Sequence, residues 1–148
     1  MKNSKGFTVV ELIASFALTM IISVFLFEVL IEVKDVFIET SLKTNILEKV
    51  GIISKNIRLN LPKGEISCNN SVKKCTYGGS NIVDLSSDTF VTVGSQKFDM
   101  PSNVTIENKT VTSMCMGDDC TLEVKFKLNH PNLSEPYNYK VIYYFSKI

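Results

Sequence analysis

The chain has 148 residues, 45% of them apolar, and its 16 basic and 15 acidic side chains leave a formal net charge of +1. A charge so near zero gives no basis for electrostatic capture of nucleic acid, and the length holds one small domain and little else. The single histidine, His130, precedes Pro131 in a loop-like stretch, and no phosphate loop or paired-carboxylate motif stands out, so neither an enzyme nor a cofactor is expected.

In chain order, Lys2 and Lys5 lead into Gly6-Phe7-Thr8-Val9-Val10-Glu11-Leu12, and from Phe7 to Phe27 the only formal charge is Glu11. That stretch at 1.5 Å rise per residue is roughly 31 Å long, enough to cross a hydrocarbon core. Glu28 and Glu32 are the first charges after it. Lysines before and acids after predict a leader in the cytoplasm, one membrane pass and an exported remainder. A carboxylate at membrane depth is costly, which marks Glu11 as a residue with a functional partner.

These residues resemble the amino-terminal signature of type IV pilins and pseudopilins, the class III prepilin signal. The resemblance implies that prepilin peptidase cuts between Gly6 and Phe7 and that Phe7 is then N-methylated. It also implies that Glu11, fifth in the mature chain, meets the terminal amine of a neighbouring subunit, with Thr8 fitting the family pattern. Loss of Met1 to Gly6 removes two lysines and takes the net charge from +1 to −1. Major pilins commonly carry a proline halfway along this helix, and none occurs around Glu28, which points to a minor pilin or pseudopilin. The implied partners are other pilins or pseudopilins, prepilin peptidase, the membrane and, indirectly, a membrane platform protein and an assembly ATPase.

Two physical readings of Glu11 stand side by side. In a filament, pairing with the amine of Phe7 on an adjacent subunit would neutralise two buried charges and fix axial register, because a slipped register strands a carboxylate at a cost of several kcal/mol. Alternatively, Thr8-x-x-Glu11 is a capping box, with Glu11 reaching back to the Thr8 amide. Ser15, Thr19 and Ser23 continue from Glu11 at four-residue steps. They either let helices approach closely and bond across them or bond their own preceding carbonyls.

Beyond the span, Leu42, Ile46, Val50, Ile53 and Ile57 recur at helical spacing among charged residues. No proline interrupts Phe7 to Asn60, so one long helix is expected, apolar over 7–30 and amphipathic over 31–60, with Gly51 its weak point and Pro62-Lys63-Gly64 its end. The globular head, 61–148, reads as strands. Asp88 to Val93 and Gln96 to Met100 flank Gly94-Ser95 as a hairpin. Val104 to Glu107 and Val111 to Met116 flank Asn108-Lys109-Thr110 as a second, and Leu122 to Leu128 alternates cleanly. Tyr137 to Phe145 is apolar enough for burial on both faces. The fold class is α+β, a long amino-terminal helix packed against a carboxy-terminal antiparallel β-sheet head.

Cys68, Cys75, Cys115 and Cys120 all lie in the exported part, where four cysteines allow three connectivities. Local pairing, Cys68 with Cys75 and Cys115 with Cys120, is the expectation. The six-residue gap of the first pair is wider than a zinc knuckle, and Asp118-Asp119 reads as a solvated turn more readily than a calcium site, so no metal is expected. The function expected is a structural subunit of a type IV pilus, type II secretion pseudopilus or competence pseudopilus, at the cell surface or in the periplasm. The competing readings are a filament-tip adhesin or DNA-uptake subunit and a membrane-anchored sensor.

Overall fold

The computed structural model describes residues 8–148, which fall into two units meeting between Ile38 and Glu39. Helix α1 (Val9–Leu59) contributes to both. It starts where Thr8 caps it and stops at Asn60, whose amide still bonds the Asn56 and Ile57 carbonyls at 3.1 Å, just before Pro62 denies the ladder a donor.

In the first unit no side chain of α1 is buried, and the apolar window there qualifies by length and composition to cross a membrane. A helix apolar on every side and covered on none is favoured in lipid or among other helices over water.

The second unit, Glu39–Ile148, has a core of its own. Ile46, Val50, Ile53 and Ile57 of α1 are buried with Leu42 half-buried, which is the stripe the 4, 3, 4 spacing describes, and each contributes about 2 kcal/mol by burial. Against it lie two antiparallel sheets where the sequence suggested one. The first is a meander of β1 (Ser67–Asn69), β2 (Lys74–Tyr77), β3 (Ser80–Asp84), β4 (Phe90–Val93) and β5 (Gln96–Asp99). The second is β6 (Thr105–Met116), β7 (Asp119–Asn129) and β8 (Tyr137–Ser146). Val83 and Val91 from the first sheet, Leu85 just past the end of β3, and Val111, Leu122, Val124 and Phe126 from the second sheet complete the core.

The Gly94-Ser95 hairpin is present as β4 and β5, with Gly94 at φ 60° as a primed turn requires. The expected second hairpin around Asn108 is not. Residues 105–116 form one strand with a bulge, in which Asn108 takes φ 49° and the register against β7 shifts between Glu107 and Thr110. A polar triplet in a strand can be an inserted residue as well as a turn, and here the long partner β7 keeps the strand straight enough to continue. Lys109, in that bulge, closes the gap between the sheets: its Nζ donates to the Ser87 carbonyl at 3.0 Å and pairs with Asp88.

The final strand also differs from expectation. Along β8, Tyr139 and Tyr143 are buried while Ile142 and Tyr144 are exposed, so the strand covers the core with one face only. A strand on the outside of a two-layer unit has nothing to cover its second face.

Candidate functional site at the start of the apolar helix

Thr8 is the N-cap and Glu11 the third residue of α1. The Thr8 amide and the Thr8 hydroxyl both donate to Glu11 Oε2 at 2.9 Å, and the Glu11 amide donates to Thr8 Oγ1 at 3.3 Å. This is a reciprocal capping box, satisfying amides that the first helical turn cannot bond internally. A carboxylate in the first turn also faces the positive end of the helix dipole. All contacts fall on one oxygen: Glu11 Oε1 accepts no hydrogen bond among the described residues. Gly6 and Phe7, the expected cleavage and methylation residues, lie outside the described residues.

Below Glu11 the hydroxyl series bonds within the helix. Ser15 Oγ donates to the Leu12 carbonyl at 2.9 Å, Thr19 Oγ1 to the Ser15 carbonyl at 2.8 Å and Ser23 Oγ to the Thr19 carbonyl at 2.8 Å. Each hydroxyl proton is thereby used while its oxygen keeps acceptor capacity, so the row suits a lipid or helix environment without needing a partner.

The head has no comparable concentration of chemistry. Both cysteine pairs are disulfide-bonded, Cys68–Cys75 and Cys115–Cys120, each between residues directly opposite in an antiparallel ladder. In the acidic turn between Cys115 and Cys120, the Asp118 carbonyl already accepts the Lys147 amide at 2.7 Å. Among the described residues no group of three His, Cys, Asp or Glu side chains is placed to hold a metal.

Residues 1–27 match the family model described as the prokaryotic N-terminal methylation motif. No curated protein and no solved structure gives a significant match. The matched segment is the class III prepilin signal of type IV pilins, so the chain opens as a type IV pilin-like precursor, the kind of substrate that prepilin peptidase processes. The motif, the apolar helix and the antiparallel sheets of the carboxy-terminal part are together consistent with the α+β fold of pilins.

Proposed function

We propose that this chain is a minor pilin or pseudopilin, a structural subunit of a bacterial type IV pilus, type II secretion pseudopilus or competence pseudopilus. Prepilin peptidase cuts between Gly6 and Phe7 and Phe7 is methylated. The chain waits in the membrane through a single pass until an assembly ATPase and a platform protein add it to other pilins or pseudopilins. The observation that carries this reading is a lone carboxylate at the start of an uncovered apolar helix, inside the matched methylation motif.

The capping geometry and the assembly role are compatible. While the helix is alone, Thr8 neutralises part of the Glu11 charge through Oε2. Oε1 remains for the amine of an arriving neighbour, whose own charge is equally costly in an apolar setting. Ser15, Thr19 and Ser23 then lie on a flank where helices come close.

Intact-mass measurement of the mature protein tests the first step: the expected product begins at Phe7 and carries one added methyl group, and an uncut Met1 or a cut beyond the helix overturns the proposal. For the second step, Glu11→Ala is expected to leave membrane insertion unchanged and to reduce recovery in sheared filaments by at least about tenfold, since stranding the partner amine costs more than about 1.4 kcal/mol. Equal incorporation of the variant refutes the pairing.

A further inference from the structure

The second sheet has two edges, and the fold treats them differently. β6 is stitched to the rest of the unit: the Ile106 amide donates to the Asp88 carbonyl at 2.8 Å, the Ser113 hydroxyl to the Ile66 carbonyl at 2.6 Å and the Val111 amide to Asn70 Oδ1 at 3.4 Å. Among the described residues β8 pairs with β7 alone. These two strands run through ten residue pairs without a register shift, and just beyond them the Lys147 amide donates to the Asp118 carbonyl at 2.7 Å. Bonded pairs alternate along an antiparallel ladder, so Tyr137, Tyr139, Val141, Tyr143 and Phe145 turn their backbone groups towards β7. Those of Asn138, Lys140, Ile142 and Tyr144 turn outwards, and no hydrogen bond reaches them among the described residues.

Sheets guard such edges with short strands, prolines, bulges or charges. The edges of the first sheet, β1 and β5, are three and four residues long, and on β5 Lys97 pairs with Asp99 at 2.8 Å. β8 is ten residues long without proline or bulge, and its only charge, Lys140, leans back across the sheet to Glu123 at 3.4 Å. A row of alternating backbone donors and acceptors is matched by another extended strand. Beside this row, Ile142, Tyr143 and Tyr144 share a hollow of about 340 Å³ with Arg58 and Leu61 at the end of α1. Tyr143 belongs to one face of β8 and Ile142 and Tyr144 to the other, so the hollow lies at the edge itself. Arg58, the chain's only arginine, forms no ion pair among the described residues. An acidic side chain with an apolar stem suits that setting.

The strand is not supplied by a second copy. β8 and the end of α1 run in the same direction, since Lys43 and Leu47 border Tyr137 and Asn138, Ser54 accepts from Tyr143, and Arg58 borders Tyr144. Antiparallel pairing of two β8 edges would therefore bring the two chains into their heads from opposite ends, whereas copies anchored in one membrane share a direction. A two-fold along the strands sets each residue opposite itself, while parallel bonding needs outward residues opposite inward ones. We propose that β8 is a docking edge for an extended segment of another protein, which adds to the second sheet as a fourth strand and lays an acidic side chain against Arg58. The contact goes beyond the filament reading and rests on it only in setting a second copy aside.

The test uses the full-length protein in detergent micelles and a synthetic peptide that alternates valine with threonine around one central glutamate, with amide exchange followed residue by residue. Without peptide, the amides of Lys140, Ile142 and Tyr144 are expected to exchange at least about tenfold faster, relative to their intrinsic rates, than those of Val141 and Tyr143. Saturating peptide is expected to slow the outward set alone by about tenfold or more, an alternation that contact through side chains does not produce. Arg58→Glu is expected to weaken peptide binding by about fivefold or more, and lysine in place of the peptide's glutamate to recover it. Ile142→Pro removes one outward amide and none from the β7 ladder, so it is expected to abolish the slowing while Tyr139 and Tyr143 stay protected. Where proline loosens the strand, seen as lost protection at Tyr139, the Arg58 exchange decides. Protection of the outward amides without peptide, rising with protein concentration, overturns the proposal in favour of a second copy. Uniform slowing, no slowing, or a charge exchange that fails to rescue also overturns it. None of these results bears on cleavage before Phe7 or assembly through Glu11, which the mass and filament measurements decide.

Discussion

Among the described residues every buried side-chain nitrogen or oxygen has a hydrogen-bond partner, so single side chains can be assigned specific consequences. Tyr143 donates to Ser54 Oγ at 2.9 Å, which leaves Tyr139 to donate to Tyr143 at 2.7 Å, a hydroxyl chain tying β8 to α1. Burial, then the bond to Tyr143, pushes the Tyr139 phenol well above its ordinary value, so it remains a donor throughout the working pH range. Tyr143→Phe is expected to cost about 1–3 kcal/mol in urea unfolding, because it leaves the Tyr139 hydroxyl buried without a partner. Ser54→Ala, at the accessible end of the chain, is expected to cost less. Glu39 supplies a pH dependence. Lys43 at 2.7 Å, then the Ser134 hydroxyl and amide, hold its carboxyl down from 4.5 to about 2. A carboxyl lowered in the folded state stabilises above its unfolded value and loses that contribution as pH falls through the folded one. The tie between residue 134 and α1 should thus weaken between pH 4.5 and about 2, read as a fall in the protection of the Ser134 amide relative to its intrinsic exchange rate at each pH, and Glu39→Gln should remove the dependence.

Among the elements, the β6–β7 hairpin shows how local chemistry and long-range packing divide the work. Cys115 and Cys120 close a loop of only a few residues around Gly117-Asp118, so their bond constrains the unfolded chain modestly. The double variant Cys115→Ala, Cys120→Ala is expected to lower stability by about 2 kcal/mol without loss of fold, as measured by thermal unfolding, since Val111, Leu122 and Val124 in the same two strands remain buried. Collapse of the second sheet in that variant would show that the bond directs the pairing rather than reinforcing it. Alternation made β7 legible because its polar residues fall on one face. The bulge in β6 was not legible, since Asn108-Lys109-Thr110 carries the composition of a turn. Only the partner strand, with Glu107 opposite Lys127 and Thr110 opposite Lys125, decides that the chain continues. The Lys109 tie to the Asp88 loop follows from that bulge and has no signal of its own in the sequence.

For the molecule as a whole, a long amino-terminal helix with an apolar first part, followed by antiparallel strands, was readable from composition and pattern. Twenty or so residues with one charge can satisfy their backbone only as a helix and their surface only in lipid or among other helices. The helical stripe from Ile46 to Ile57 was readable for a related reason: its spacing is a local property of one element. Glu11 was singled out because a charge in that setting is costly wherever the remainder of the chain goes. Partition into two sheets, the bulge, and the outward turn of Ile142 and Tyr144 depend on which strands lie beside which, and strand neighbours come from residues far apart in sequence. The apolar run at the end of the chain illustrates the limit. Its density announced burial, but how many faces are covered depends on the number of layers, and with only α1 and the first sheet to supply cover, β8 keeps one side open to solvent. Thus chemistry confined to a few neighbouring residues, namely the prepilin signal, the helix and the cysteine hairpins, was determined by the amino-acid order itself. Whatever required two distant strands to meet was decided only when the core closed, because burial is shared among residues that the order alone does not bring together.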